Sequence, residues 1–220
     1  METDDLIERL ARNPGRAAPL PRPWLRFATW LVPSLAFMAL VVAYQSPRDD
    51  LMQAASSPRW LGEQALALAT AITAALAALM LALPGRSRRW ALLPMAPGLA
   101  WLATLGAGCL RDLRMLGAEG LRLTPDAECF LYISLIASVP TVILLAQVRR
   151  GVALAPGLTG ALAVLGAAAL GGFGLRLFHA QDLGLMVLVW QVGSVLALTL
   201  LGALAGPRLL AWPPRTGRAA

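Results

Sequence analysis

The sequence predicts an all-α integral membrane protein: a bundle of six transmembrane helices, both ends cytoplasmic, with a short amphipathic helix ahead of the first span. Three observations predict it. The first is composition, because 58% of the 220 residues are hydrophobic and only 14% charged, too little polar surface to cover a water-soluble globule of this size. The second is the presence of six apolar runs, each near the roughly 20 residues needed for a helix to cross a bilayer with its backbone hydrogen bonds satisfied. The third is the placement of charge. The formal +7 comes from arginine alone, with no lysine, and the arginines sit in short clusters between the apolar runs.

The spans are expected at 27–44, 64–83, 90–110, 129–148, 152–175 and 183–204, within a membrane domain covering 27–212. Residues 1–26 form a tail before it and 213–220 a second tail after it. The first tail mixes acids, arginines and prolines, unlike a secretory signal peptide, and is expected to be retained. Pro94 and Pro97 start the third span late or kink it, and Pro140 lies near the middle of the fourth. Prolines are tolerated there because neighbouring helices re-satisfy freed backbone groups.

Orientation follows from arginine counts, since basic residues near span ends are retained in the cytoplasm. With the N-terminus inside, thirteen arginines are cytoplasmic, among them Arg26, Arg86, Arg88, Arg89, Arg149, Arg150 and Arg208. Six fall outside, namely Arg48, Arg59, Arg111, Arg114, Arg122 and Arg176, together with eight of the twelve acids. An N-in, C-in arrangement follows.

Small residues recur at helical spacing: Ala67, Ala71 and Ala75 in span two, Gly157, Gly160, Gly166, Gly171 and Gly172 in span five, Gly202 and Gly206 in span six. Close helix packing is their natural use, and a homodimer through the Gly202–Gly206 face is the less favoured alternative. The basic residues form no soluble module with interleaved aromatics, so direct nucleic-acid binding is not expected. With one histidine, no phosphate loop and no serine-based constellation, the chain is not expected to be an enzyme or to hold a resident cofactor. A transporter would place ionisable groups near the midplane, where the spans offer only Gln147 and Gln191.

Two regions carry functional signal. Thr3 can cap a helix with Asp4 and Asp5 in its first turn and Leu6, Ile7, Leu10 and Ala11 along one stripe. Asn13-Pro14 and Pro19, Pro21 and Pro23 then leave it on a tether. Such a helix is marginal alone and suits an element that orders in the groove of a soluble partner. Its acidic polar face argues against a helix resting on lipid.

The second region is the outer face, where topology brings Cys109 and Cys129 to one end and adds Glu128, His179 and Asp182. These residue types can ligate a soft metal transiently, or the thiols can be oxidised. The bland alternative is that each cysteine is a small hydrophobe at a helix end and His179 an interfacial side chain.

Thr3-Asp4-Asp5-Leu6-Ile7 with Leu10, Pro58-Arg59-Trp60 at the second span, and Gly206-Pro207-Arg208-Leu209-Leu210-x-Trp212 at the close resemble the NrsF family. Cys129, Pro140, Arg149-Arg150 and the Gly-rich fifth span from Pro156 extend the likeness over nearly the whole chain. The resemblance implies a six-span inner-membrane negative regulator of an extracytoplasmic-function sigma factor, holding that factor through its N-terminal segment until an outside stress is sensed. It also implies two periplasm-facing cysteines that answer heavy metals or oxidants. Cys129 matches the first, but Leu175-Arg176-Leu177-Phe178-His179-Ala180 carries alanine where the second would be. Three readings follow: Cys109 supplies the missing thiol, His179 serves as the other ligand, or this chain answers a different signal. Outside the family reading stand a structural subunit of a membrane complex and a small transporter.

Overall fold

The computed structural model describes residues 3–12 and 21–210. It is helical throughout, with no strand among the described residues. After α1 (Thr3–Arg12) come α2 (Pro23–Gln45), the short α3 (Leu51–Ala55), α4 (Pro58–Leu81), α5 (Met95–Leu116), α6 (Ala127–Arg149), α7 (Pro156–Leu175) and α8 (Gly184–Leu209). Six of these are long and apolar enough to cross a membrane, α5 being extended at both ends by 3₁₀ turns at Arg88–Leu92 and Gly117–Leu121. The chain is a multi-pass membrane protein.

The spans differ from the apolar runs at their ends, for a local reason in each case. Helix α4 starts at Pro58, several residues before the uncharged stretch, because the Ser57 hydroxyl accepts from the Trp60 N–H and Pro58 sits at a position needing no donor. Arg59 and Glu63 therefore lie on the helix. Helix α5 runs on past Leu110 to Leu116, carrying Arg111, Asp112 and Arg114, and stops at Gly117 with φ +61°. Only glycine takes that conformation without strain.

Helix α7 is the axis of the bundle and packs against α4, α6 and α8. It has this place because its glycines let backbones touch. A Cβ on Gly166 would meet the Ala75 N and Ala71 O atoms, and one on Gly160 would meet the Gly202 carbonyl and Gly206 Cα. The Gly202–Gly206 face is thus used within the chain, against α7. Ala67, Ala71 and Ala75 are fully buried. Helices α2 and α6 are joined by Trp30, fully buried, whose Nε1 donates to the Pro140 carbonyl at 3.2 Å. In α8 a π-helical stretch, Val187–Val192, turns Gln191 inward, where its Nε2 donates to Gly172 O at 2.8 Å. That satisfied bond gives Gln191 a structural use.

The bundle has two ends. The start of α2, the 82–94 and 150–155 connections and the end of α8 form a basic face, where Val152 N–H donates to Ala82 O. The 46–57, 117–126 and 176–183 connections form the opposite, network face, where Arg48 N–H donates to Leu177 O.

Candidate functional site

On the network face, seven charged side chains from four elements form one continuous chain of ion pairs. Arg48 bonds Asp50 (2.6 Å) and Asp182 (2.5 Å); Asp182 bonds Arg176 (2.9 Å); Arg176 bonds Glu63 (2.5 Å); Glu63 bonds Arg59 (2.9 Å), which reaches Asp112 at 3.3 Å. Asp112 then accepts the Gly184 N–H, at the start of α8. Glu63 is 1% exposed and Arg176 3%. A buried charge is tolerated only when paired, so the two are obligatory partners, and Arg176 also lies over the Trp60 ring at 5.8 Å. Burial pushes the Asp182 carboxyl up, but hydrogen bonds from Arg48 and Arg176 and their charges outweigh it and hold the group below the ordinary carboxylate range. Hydrogen bonds to Asp50 and then Asp182 raise Arg48.

Beside this network lies a second, smaller cluster. Asp126 precedes α6 and accepts from the Cys129 N–H at 3.3 Å, an N-cap formed by the aspartate three residues before the cysteine. The same carboxylate accepts from the Cys129 thiol at 3.1 Å and lies 2.9 Å from His179 Nε2, which arrives on the α7–α8 connection. One sulfur, one nitrogen and one oxygen thus lie within 4.8 Å of one another. Bonds of roughly 2.0–2.3 Å to a zinc-like ion would require these three atoms to draw together around it. Desolvation pushes Asp126 up, yet the His179 and Cys129 hydrogen bonds outweigh it and the carboxyl stays below its ordinary value. Beneath the cluster, Tyr132 of α6 and Phe178 meet edge-on at 5.2 Å and fasten the connection to α6.

The structure brings Cys129 and His179 together and leaves Cys109 elsewhere. Cys109 lies where α5 meets α8, close under Gly184, and both cysteines are free thiols. Glu128 is exposed, and Asp182 belongs to the ion-pair chain. Sequence reasoning overlooked Asp126, although an aspartate three residues before Cys129 at a helix start is a capping signal. It also left Glu63 outside a span.

At the other end of the chain, α1 forms as expected, with Asp4 and Asp5 in its first turn. Asp4, Asp5, Glu8 and Ala11 are exposed, and Ile7 is 58% exposed. The side chains of Leu6 and Leu10 lie outside the described residues, as do residues 13–20, the proposed tether.

No curated protein and no solved structure matches the chain. The model of one family does match it, over residues 10–212 and therefore across all six spans. With that match spanning the bundle, the capped Cys129 and the connection bearing His179, the chain belongs to the NrsF family, described as negative regulators of sigma F.

Proposed function

We propose that this protein holds an extracytoplasmic-function sigma factor inactive at the bacterial inner membrane, and that a periplasmic metal or oxidant acting at Cys129 releases it. The observation that carries the reading is α1, a short helix with an acidic first turn and an exposed isoleucine. An isolated ten-residue helix is marginal in water and gains stability from a groove that covers its apolar stripe. Asp4, Asp5, Leu6, Ile7 and Leu10 are the residues assigned to sigma-factor contact.

The release step is assigned to Asp126, Cys129 and His179. A soft or borderline cation takes thiolate, imidazole and carboxylate ligands, and its binding displaces the thiol proton that now points at Asp126. His179 is then drawn toward α6. The connection that carries it also carries Arg176 and Asp182, so the pull falls on the ion-pair chain joining α4, α5 and the α2–α3 connection. Metal binding and sigma-factor binding are coupled to the extent that they favour different packings of this chain. Cys109 remains a second thiol open to oxidation at the α5–α8 contact.

The experiment is a pull-down of soluble sigma factors by the intact protein in detergent, comparing wild type with the triple variant Leu6→Ala/Ile7→Ala/Leu10→Ala. Capture by wild type and loss in the variant is the expected result. If both capture equally, α1 is not the binding site, and if neither captures, the reading of sequestration fails.

A further inference from the structure

The basic face holds a cavity of about 420 Å³ between α2 and α6. Leu25, Val142 and Ile143 supply an apolar wall, and Arg26, Gln147 and Arg150 supply polar groups. Arg26 is 4% exposed. Its Nη2 donates to the Gln147 carbonyl at 2.8 Å, while its Nη1 is buried without a partner, as is the Gln147 Oε1. Arg150 caps the end of α6 close enough to add its charge to that of Arg26. Among the described residues no carboxylate pairs with either guanidinium. This is the opposite of the network face, where Arg48, Arg59 and Arg176 each hold one or more acids.

A desolvated guanidinium beside a second cation is unfavourable unless an anion completes the site. The position limits which anion that is. Arg26 lies one turn into α2 and Arg150 at the last turn of α6, so both stand at headgroup depth, while Leu25 and Val142, 43% and 67% exposed, continue the cavity wall along the span surface where acyl chains lie. We propose that this cavity is a binding site for an anionic phospholipid, its phosphate held by Arg26 Nη1 and Arg150 and an acyl chain laid along Leu25 and Val142. Guanidinium forks match phosphate oxygens in charge and geometry, and basic pockets between spans at headgroup level hold anionic lipids. The bound lipid then sits where the tail bearing α1 enters the membrane.

The test is native mass spectrometry of the full-length protein exchanged into phosphatidylglycerol or phosphatidylcholine of the same acyl chains. Wild type is expected to retain phosphatidylglycerol at least about fivefold in preference, the effect of a single well-placed arginine near a membrane surface. Arg150→Gln, an exposed position that leaves the bundle intact, should reduce the preference, and Arg26→Gln/Arg150→Gln should abolish it. Val142→Trp fills the cavity without touching either charge and should also abolish it, which keeps the test valid if the double variant unfolds. Equal retention of the two lipids by wild type overturns the proposal, as does an unchanged preference in Val142→Trp. Displacement of the lipid by inorganic phosphate, or by a peptide of residues 1–12, at concentrations that leave surface lipids bound would assign the site to a soluble anion or an acidic segment instead, and overturns it equally.

Discussion

The two ends of this bundle use arginine in opposite ways. On the network face Arg48, Arg59 and Arg176 are each bonded to acids, and the pairs join into a clamp across α4, α5, the α2–α3 connection and the α7–α8 connection. On the basic face Arg26 bonds only a carbonyl and Arg150 pairs with no carboxylate among the described residues. Charges that are paired inside the protein hold its parts together. Charges left unpaired are free to interact with something outside it. One end is therefore cross-braced between helices by paired charge, and the other presents charge to its surroundings.

The network face is most sensitive at Glu63. Replacing it by glutamine leaves Arg176 buried with one carboxylate fewer, and removal of one partner from a buried pair destabilises by about 3 kcal/mol or more. Thermal unfolding in detergent should show this as a large drop in melting temperature for Glu63→Gln. Arg150→Gln on the basic face should stay within about 0.5 kcal/mol of wild type. Similar losses from both would mean that the two faces do not differ in the way described.

A smaller effect is expected at the thiol cluster. Cadmium titration followed by thiolate-to-metal absorption should saturate at one ion per chain in wild type. His179→Ala and Asp126→Asn should each weaken binding by about tenfold or more, the scale on which metal sites respond to loss of supporting groups. Cys109→Ser should leave affinity unchanged. If Cys109→Ser weakens binding and His179→Ala does not, the thiol of α5 is the true partner of Cys129.

Acid has the mildest effect. Asp182 titrates below the ordinary carboxyl value because Arg48 and Arg176 hold its charge. Its contribution is complete above that ordinary value, about 4, and is lost as pH falls through the depressed one. The melting temperature of wild type should therefore hold down to about pH 4 and decline below it. Asp182→Asn should start lower and decline less over the same interval; parallel curves would remove Asp182 from the clamp.

How much of this was legible beforehand differs between elements. The six spans were, since a lipid-facing helix must be apolar for some 20 residues and no other arrangement satisfies that length. The start of α4 was not, because Arg59 and Glu63 interrupt the apolar run and become compatible with a span only once Asp112 of α5 and Arg176 of the α7–α8 connection, distant in sequence, arrive to pair with them. Of the cluster on the network face, Cys129 and His179 were identifiable by residue type and Asp126 was missed. The link between them was not visible, because His179 lies about fifty residues beyond Asp126 and reaches it through tertiary packing, including that of Tyr132 on Phe178.

By itself the sequence determined the number of crossings, the arginine asymmetry between the two faces, the α1 helix and the small-residue stripes, all of which rest on local composition and periodicity. The tertiary structure alone decided which arginines are paired, which thiol meets the histidine, and that Gly202 and Gly206 are used within the chain. The physical reason is range. Hydropathy and helix caps act over a few residues, whereas an ion pair or a ligand set depends on distances between helices, and those follow from how closely the glycines of α7 let its neighbours approach.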